Sequence, residues 1–332
     1  MKAICTLGPA SSNPDLIFKL SKISDRFRLN VAHSNAQSLN RWLTQLTDTF
    51  HQIGTELPVV LDLQGSKMRI GSYPNCEQIP ENICLFLGDK SHSRQRLPVP
   101  HPDLFRVLAT GDILSLNDAK IKVEITEIID KQTARGRVIQ NGALDSCKGI
   151  NRTHHPVPFT QVSQGDKAAI AVGLQYPFVQ FACSFVFDGT EAPLLRQLIG
   201  DRHLIAKLER PESLMHLNTI DRVFDELWLC RGDLGAQAGL TALGQLQAQF
   251  IRAFPELSSP KYLAGQVLEY MTHFPKPTRS EVVHLYDIQQ AGFDGIVLSD
   301  ETAIGQHPEK VAEFLGAFLN AGISTLNEGN LR

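Results

Sequence analysis

Short apolar runs recur along the chain, and most are followed by a stretch with helical spacing. Ala3–Leu7, Phe27–Ala32, Pro58–Leu63, Phe178–Val186, His203–Glu209, Glu226–Cys230, Tyr262–Ala264 and Gly295–Ser299 predict strands, Tyr262–Ala264 being the weakest of them. Pro14–Ile23, Ser38–Ile53, Gly165–Gln175, Glu191–Ile199, Thr241–Phe254, Ser280–Gly292 and Glu309–Asn320 predict helices. Near-continuous apolar strands alternating with helices imply a parallel sheet covered on both faces. Eight such units in 332 residues favour an α/β fold closed into a (β/α)8 TIM barrel over an open sheet.

The rhythm breaks between Gly71 and about Pro158. Short β-type runs such as Ile121–Ile129 lie there between turn signals, Leu116-Asn117-Asp118 and Gln140-Asn141-Gly142. A structureless loop of that length is implausible in a compact domain. The expectation is a small all-β lid domain over 72–157, inserted after strand three, with the barrel made of 1–71 and 158–332. In a barrel, such an insertion rises from the C-terminal face, where active sites lie, and is suited to closing over a ligand.

Composition narrows the class without changing the fold. Hydrophobic residues make up 42% and charged residues 20%, as in ordinary globular domains, and the net charge of -3 gives no field for nucleic acid. No run of 18 apolar residues predicts a membrane span, and the short apolar start, broken at Gly8-Pro9, does not make a signal peptide. The six cysteines form no CxxC pair, so zinc is not expected. Cys5, Cys183 and Cys230 sit in apolar runs and read as buried thiols of a reducing, cytoplasmic compartment.

Three strand ends carry candidate chemistry. In Ile205-Ala206-Lys207-Leu208-Glu209, Lys207 and Glu209 are two apart and share a face. A salt-bridged strand end is the plain alternative. The next strand ends in Arg231-Gly232-Asp233, where Gly232 lets backbone approach a ligand and Asp233 adds a second carboxylate. Alone, Asp233 reads equally well as a helix-capping turn residue. Glu209 and Asp233 together make a hard-oxygen pair suited to Mg²⁺, which takes one or two carboxylates and leaves positions for water or substrate. The third strand ends in Asp62-Leu63-Gln64-Gly65-Ser66-Lys67-Met68-Arg69, where Arg69 can bind a phosphate or carboxylate, or can form a hinge salt bridge. No GxxxxGK[ST] or GxGxxG motif is present, and His154-His155 reads as surface.

Taken in order, these motifs resemble the pyruvate kinase family. The resemblance runs through Cys5-Thr6-Leu7-Gly8-Pro9-Ala10-Ser11, Asn30-Val31-Ala32, Leu61-Asp62-Leu63-Gln64-Gly65 and Lys148-Gly149-Ile150-Asn151. It continues through Ala206-Lys207-Leu208-Glu209, Arg231-Gly232-Asp233-Leu234-Gly235, Pro277-Thr278-Arg279-Ser280-Glu281-Val282 and Leu298-Ser299-Asp300-Glu301-Thr302-Ala303. It implies transfer of a phosphoryl group between phosphoenolpyruvate and ADP, with Glu209 and Asp233 holding Mg²⁺ or Mn²⁺. It further implies that Lys207 neutralises the transferring phosphoryl group and that Arg69 and Ser184 contact it. The amides of Gly232 and Asp233 would hold the substrate carboxylate, Lys148 would reach the nucleotide, and Asn35 and Asp62 would lie where a monovalent cation binds. Leu63, Lys67 and Gln37 match family members that work without K⁺, the Lys67 ammonium standing in for the ion.

Four departures from the family pattern bear on function. The phosphate-binding arginine after strand two is His33 here, which exchanges a fixed guanidinium fork for a group mostly neutral at pH 7. The threonine of strand seven that aids enolate protonation falls at Gly265, and losing one such donor costs roughly 10²–10³ in rate. Phe187 replaces an arginine after Ser184-Phe185-Val186, and the sequence ends after helix eight, before the position of the family's C-terminal domain. The expectation is therefore a phosphoenolpyruvate phosphotransferase of impaired or altered turnover, with a barrel–barrel homodimer as its assembly. Two other readings stand beside it. One is aldol or decarboxylation chemistry on an Mg-bound 2-oxoacid enolate without nucleotide, for which Gly265 opens space; the other is a non-catalytic ligand sensor.

Overall fold

The computed structural model describes residues 1–31, 35–117, 119–153 and 157–324, so His33 and His154-His155 lie outside the described residues. The chain divides into two compact units, Met1–Gly65 with Ser163–Arg332, and Ser66–Val162. In chain order, the first unit begins with β1 (Lys2–Leu7), α1 (Pro14–Ser21), β2 (Arg26–Asn30), α2 (Ala36–Ile53) and β3 (Val59–Leu63). The second unit holds β4 (Asn82–Leu87), β5 (Arg96–Val99), α3 (Pro102–Val107), β6 (Ile113–Leu116), β7 (Ile121–Asp130), β8 (Thr133–Gln140) and β9 (Ile150–Arg152). The first unit resumes with α4 (Gln164–Gly173), β10 (Val179–Cys183), α5 (Glu191–Ile199), β11 (Leu204–Leu208), α6 (Leu217–Val223) and β12 (Glu226–Cys230). It ends with α7 (Arg231–Ala238), α8 (Leu240–Ala253), β13 (Lys261–Ala264), α9 (Arg279–Gln290), β14 (Gly295–Leu298), α10 (Asp300–Ala303) and α11 (Pro308–Ser324).

The first unit is a closed parallel barrel in the order β1-β14-β13-β12-β11-β10-β3-β2, the expected (β/α)8 architecture. Alternation assigns each side chain to the lumen or to the helical ring. Ile4, Val60, Ala182, Ile205, Trp228, Tyr262 and Val297 fill the interior. Phe27, on the other face of β2, meets Phe50 of α2, which packs edge-on against Phe178 at 5.4 Å. Helices begin where short polar side chains cap them. Asn13, Ser163 and Thr278 each accept a backbone N–H at the start of α1, α4 and α9.

At the N-terminal end of the strands the lumen holds ions rather than hydrocarbon. Arg26 Nη2 donates to both oxygens of Glu226 at 2.8 and 2.7 Å, and Trp228 Nε1 and His203 Nε2 lie 2.5 and 3.2 Å from the same carboxylate. A buried pair persists only with such saturation of its hydrogen bonds.

The second unit carries a sheet in the order β5-β4-β8-β7-β6-β9, antiparallel except for the β4–β5 pair. Its core is formed by residues such as Leu85, Val99, Leu114, Val123, Leu144 and Ile150. Two expectations are corrected. The unit is not purely β, since α3 lies within it, started by Pro102 and Asp103. Its limits fall at 65/66 and 162/163 rather than 71/72 and 157/158. The physical reason is pairing at the unit's base: Ile70 N donates to Lys148 O at 2.9 Å and Ile150 N to Met68 O at 3.1 Å, which commits 66–71 to this unit.

Candidate active site

The strand ends build the site. β3 brings Asp62, β10 leads into Ser184, and β11 carries Lys207 and runs on to Glu209; all four are nearly inaccessible. The Lys207 ammonium donates to Asp62 Oδ2 (2.9 Å) and Ser184 Oγ (3.0 Å) and pairs with Glu209 Oε1 at 2.9 Å. Ser184 Oγ donates in turn to Asp62 Oδ1 at 3.1 Å. Asp62 Oδ2 is shared with Arg28 of β2, whose Nε lies 2.9 Å away and Nη2 2.5 Å. Arg28 Nη1 donates to Thr6 Oγ1 at 2.9 Å.

These charges hold one another ionised. Burial would favour the neutral amine at Lys207, but the Asp62 and Glu209 carboxylates outweigh it and raise the pKa well above the usual lysine value. Burial would likewise raise Asp62, yet Lys207 and Arg28 outweigh it and hold the carboxyl at about 2. The layer therefore presents a charged ammonium beside an ionised Asp62 in a buried site, where such groups act far more strongly than in water.

Glu209 is oriented from two sides. Oε1 faces Lys207, and Oε2 accepts the Phe185 N–H at 2.8 Å. Phe185 has φ 58°, an uncommon conformation for a bulky residue, and the turn it makes ends β10 at Cys183 and aims that N–H at the carboxylate. The β3 end is fixed by Asp166 of α4, which accepts the Gln64 and Gly65 N–H groups at 2.9 and 3.0 Å.

The Arg231-Gly232-Asp233 segment forms the first turn of α7. Arg231 donates from Nε and Nη2 to Gly265 O (3.0 and 2.8 Å) and from Nη2 to Gln266 O (2.7 Å). Gly265 and Gln266 have φ 85° and 55°, and a Cβ at 265 would sit 3.2 Å from Gly232 N. Gly265 and Gly232 are thus neighbours. Asn35 caps α2, its Oδ1 accepting the Ser38 N–H at 2.8 Å. Arg69, Lys67 and Lys148 belong to the second unit, where Arg69 pairs with Gly149 beside Lys148 and donates from Nη1 to Cys147 O at 3.0 Å.

The Ser299–Ala303 segment proves architectural. Glu301 accepts the Leu268 and Ser299 N–H groups at 3.0 and 2.6 Å, and Thr302 Oγ1 donates to Thr6 O at 2.8 Å, closing β14 onto β1. Sequence reasoning missed Arg28, Thr6 and the Phe185 amide. Arg28 had a legible signal: Arg26 and Arg28 alternate with Phe27 and Leu29, so both arginines face the lumen.

Among the described residues, no group of three His, Cys, Asp or Glu side chains gathers as a metal cage. Glu209 and Asp233 follow the ends of the adjacent strands β11 and β12, and carboxylate oxygens are donors of the kind that suits a hard divalent ion. No helix of the described residues is long and apolar enough to cross a membrane.

Fold and site define a (β/α)8 barrel that concentrates opposed charges at the C-terminal ends of its strands, where barrels of this fold carry their active sites. The family model "Pyruvate kinase, barrel domain" matches residues 1–312, and the chain belongs to the pyruvate kinase family. A pyruvate kinase of Agrobacterium vitis is 31% identical over 324 residues, covering 96% of this chain and 67% of its own length. One from Methylorubrum extorquens is 29% identical over 312 residues, covering 92% and 65%. The chain thus spans about two thirds of the length of these curated relatives. The crystal structure of pyruvate kinase from Pyrobaculum aerophilum shares the fold, with a TM-score of 0.82 at 23% identity, over 96% of this chain and 73% of that one.

Proposed function

We propose that this chain is a phosphotransferase that moves a phosphoryl group between phosphoenolpyruvate and ADP with Mg²⁺, and that it needs no K⁺. The reading is carried by the Lys207 ammonium, held 2.9 Å from both Asp62 and Glu209 at the strand ends, in a chain of this family. Lys207 would neutralise charge on the transferring group, with Ser184 and Arg69 contacting its oxygens, and the Gly232 and Asp233 amides would hold the substrate carboxylate at the α7 N-terminus. Lys148 would reach the nucleotide. Glu209 and Asp233 would hold Mg²⁺ or Mn²⁺, which when bound supplies Lewis-acid charge to the enolate and phosphoryl oxygens. Two features support K⁺ independence: Asp62 already carries Arg28 and Lys207, and Lys67 supplies an ammonium in the inserted unit.

The test is pyruvate formation from phosphoenolpyruvate, ADP and Mg²⁺, present in the wild type and absent in Glu209→Ala. A wild type that is inert and shows no calorimetric binding of Mg²⁺ with phosphoenolpyruvate overturns the reading. A second reading, enolate chemistry on a 2-oxoacid without nucleotide, is favoured by one observation. The φ of 85° at Gly265 suits glycine, so this backbone is built for a position without a hydroxyl. Mg²⁺-dependent binding of oxaloacetate with no phosphoryl transfer would select it.

A further inference from the structure

Arg231 is held by a base rather than an acid. Among the described residues no carboxylate forms an ion pair with it, and its Nη1 lies 2.6 Å from Nε2 of His284, in the middle of α9. A guanidinium carries donors only, so this ring nitrogen must be the acceptor. That fixes the ring as the neutral tautomer with its hydrogen on Nδ1. An imidazolium has no lone pair at Nε2, and it would set a second cation against the first.

The other donors of Arg231 fasten the turn after β13, Nε and Nη2 reaching Gly265 O and Nη2 also reaching Gln266 O. Gln266 has φ 55°, an uncommon conformation for a side chain of its size, so this turn needs such outside support. It stands against the first turn of α7, with the missing Cβ of Gly265 only 3.2 Å from Gly232 N. A chain of contacts thus runs from His284 through Arg231 to the turn beside the Gly232 amide. The charged groups that bear on the ring are Arg231, across from α7, and Asp287 on its own helix. Glu301 of α10 attracts Arg231, but its oxygens already accept the Leu268 and Ser299 N–H groups. Burial and the Arg231 charge push the His284 pKa below the ordinary histidine value, against the pull of Asp287.

We infer that His284 is a positioning residue: its neutral ring holds Arg231, and through Arg231 the Gly265–Gln266 turn beside the Gly232 amide, in the arrangement that binds substrate, and protonation of the ring releases them. The inference rests on the proposed function for the identity of that substrate. It assigns His284 no contact with the substrate. The sign follows from the contact. A group whose pKa is depressed on folding contributes fully above its ordinary value, and the contribution is lost as pH falls through the folded one.

The test is calorimetric binding of phosphoenolpyruvate in the presence of Mg²⁺, from pH about 8 to about 5, to wild type, His284→Gln and His284→Leu. The amide introduced by His284→Gln offers an acceptor oxygen in place of Nε2 and does not titrate; His284→Leu offers none. Each variant is compared with wild type at the same pH, which cancels the titration of the ligand itself. At pH about 8, His284→Gln is expected to bind within a few fold of wild type and His284→Leu about 10-fold more weakly, the loss of one hydrogen bond to a charged group. Below pH about 6.5 the wild type is expected to lose about 10-fold relative to His284→Gln and to converge on His284→Leu. A His284 that served only packing predicts a wild-type to His284→Gln ratio that stays constant with pH, and that result overturns the inference. Binding by His284→Leu at wild-type strength at pH about 8 overturns it too. If His284→Leu does not fold, the comparison of wild type with His284→Gln decides alone. A wild type that binds at no pH refutes the proposed function and this inference with it, whereas a constant ratio with binding intact refutes the inference alone.

Discussion

Restoring a threonine at Gly265 is the obvious way to return a hydroxyl to the site, and the structure says that the backbone will resist it. Gly265 has φ 85°, and an ideal Cβ there would lie 3.2 Å from Gly232 N and 3.6 Å from Arg231 N. Placing an L-residue at left-handed φ costs about 1–2 kcal/mol, and a β-branched one more. The tight contact with the Gly232 amide adds to this, for a total of about 2–3 kcal/mol. The chain has one escape, which is to swing residue 265 to negative φ. That movement would break the hydrogen bonds from Arg231 to Gly265 O and Gln266 O, each worth about 1.5–3 kcal/mol as a charge-assisted bond. Losing two of them exceeds the strain, so Gly265→Thr should keep the observed backbone and bear the strain.

The measurement is the urea midpoint and the melting temperature, with Gly54→Ala as the control. Gly54, at the end of α2, has φ 68° but nothing within 4 Å of its missing Cβ, so it reports the conformational cost by itself. At about 2–4 °C per kcal/mol for a large domain, Gly265→Thr should melt roughly 5 °C or more below wild type, and clearly below Gly54→Ala. A Gly265→Thr protein that melts with the wild type refutes the reasoning, and with it the claim that this turn requires glycine.

Two further outcomes follow from the ion pairs. Glu226→Gln leaves Arg26 buried without a counter-charge and should cost about 3–5 kcal/mol near neutral pH in urea unfolding. Burial would raise the Glu226 pKa, but the His203 hydrogen bond and the Arg26 charge outweigh it and hold the group below its ordinary value. A depressed pKa stabilises fully above the unfolded value, and the gain is lost as pH falls through the folded one. The gap between wild type and Glu226→Gln should therefore be flat above pH about 5 and narrow below about 4, and a gap unchanged down to pH about 3 contradicts the assignment. For the proposed phosphotransferase, exchanging tetramethylammonium for K⁺ at fixed ionic strength should leave the rate unaltered; a several-fold rise means that Asp62 and Lys67 do not do what is claimed for them.

Much of the barrel was legible because its strands are buried on both faces and therefore read as unbroken apolar runs. The expected strands match the observed ones within a residue or two at each end, except at β10, and that exception has a specific cause. Phe178–Val186 reads as one apolar run, yet the strand stops at Cys183, because Phe185 adopts φ 58° to present its N–H to Glu209. Hydrophobicity carries no trace of that turn. The short helices α6 and α7 were missed for a related reason. Arg231-Gly232-Asp233-Leu234-Gly235 has two glycines and little amphipathic spacing, and only tertiary contacts such as Arg231 to Gly265 make it helical. Lid boundaries moved because Met68–Ile70 pairs with Lys148–Ile150, a segment far along the chain, which no local pattern reveals.

The site divides along the same line. Lys207 and Glu209 were legible because charged residues at the ends of apolar strands have few structural excuses. Arg28 was not read as part of the site, although its alternation with Phe27 and Leu29 points it into the lumen, because barrel chemistry is expected at strand ends and Arg28 lies within β2. Its presence changes what the charge pattern means. Lys207 and Glu209 alone would be a satisfied salt bridge, the plain alternative that sequence spacing left open. With Arg28 and Asp62 added, the layer holds two cations and two carboxylates, and each carboxylate is supported by something other than Lys207: Asp62 by Arg28 and Ser184, Glu209 by the Phe185 amide. A bridge built only for stability gains nothing from such duplicate support. Such support keeps both carboxylates fixed if Lys207 turns toward an anionic ligand, the role proposed for it.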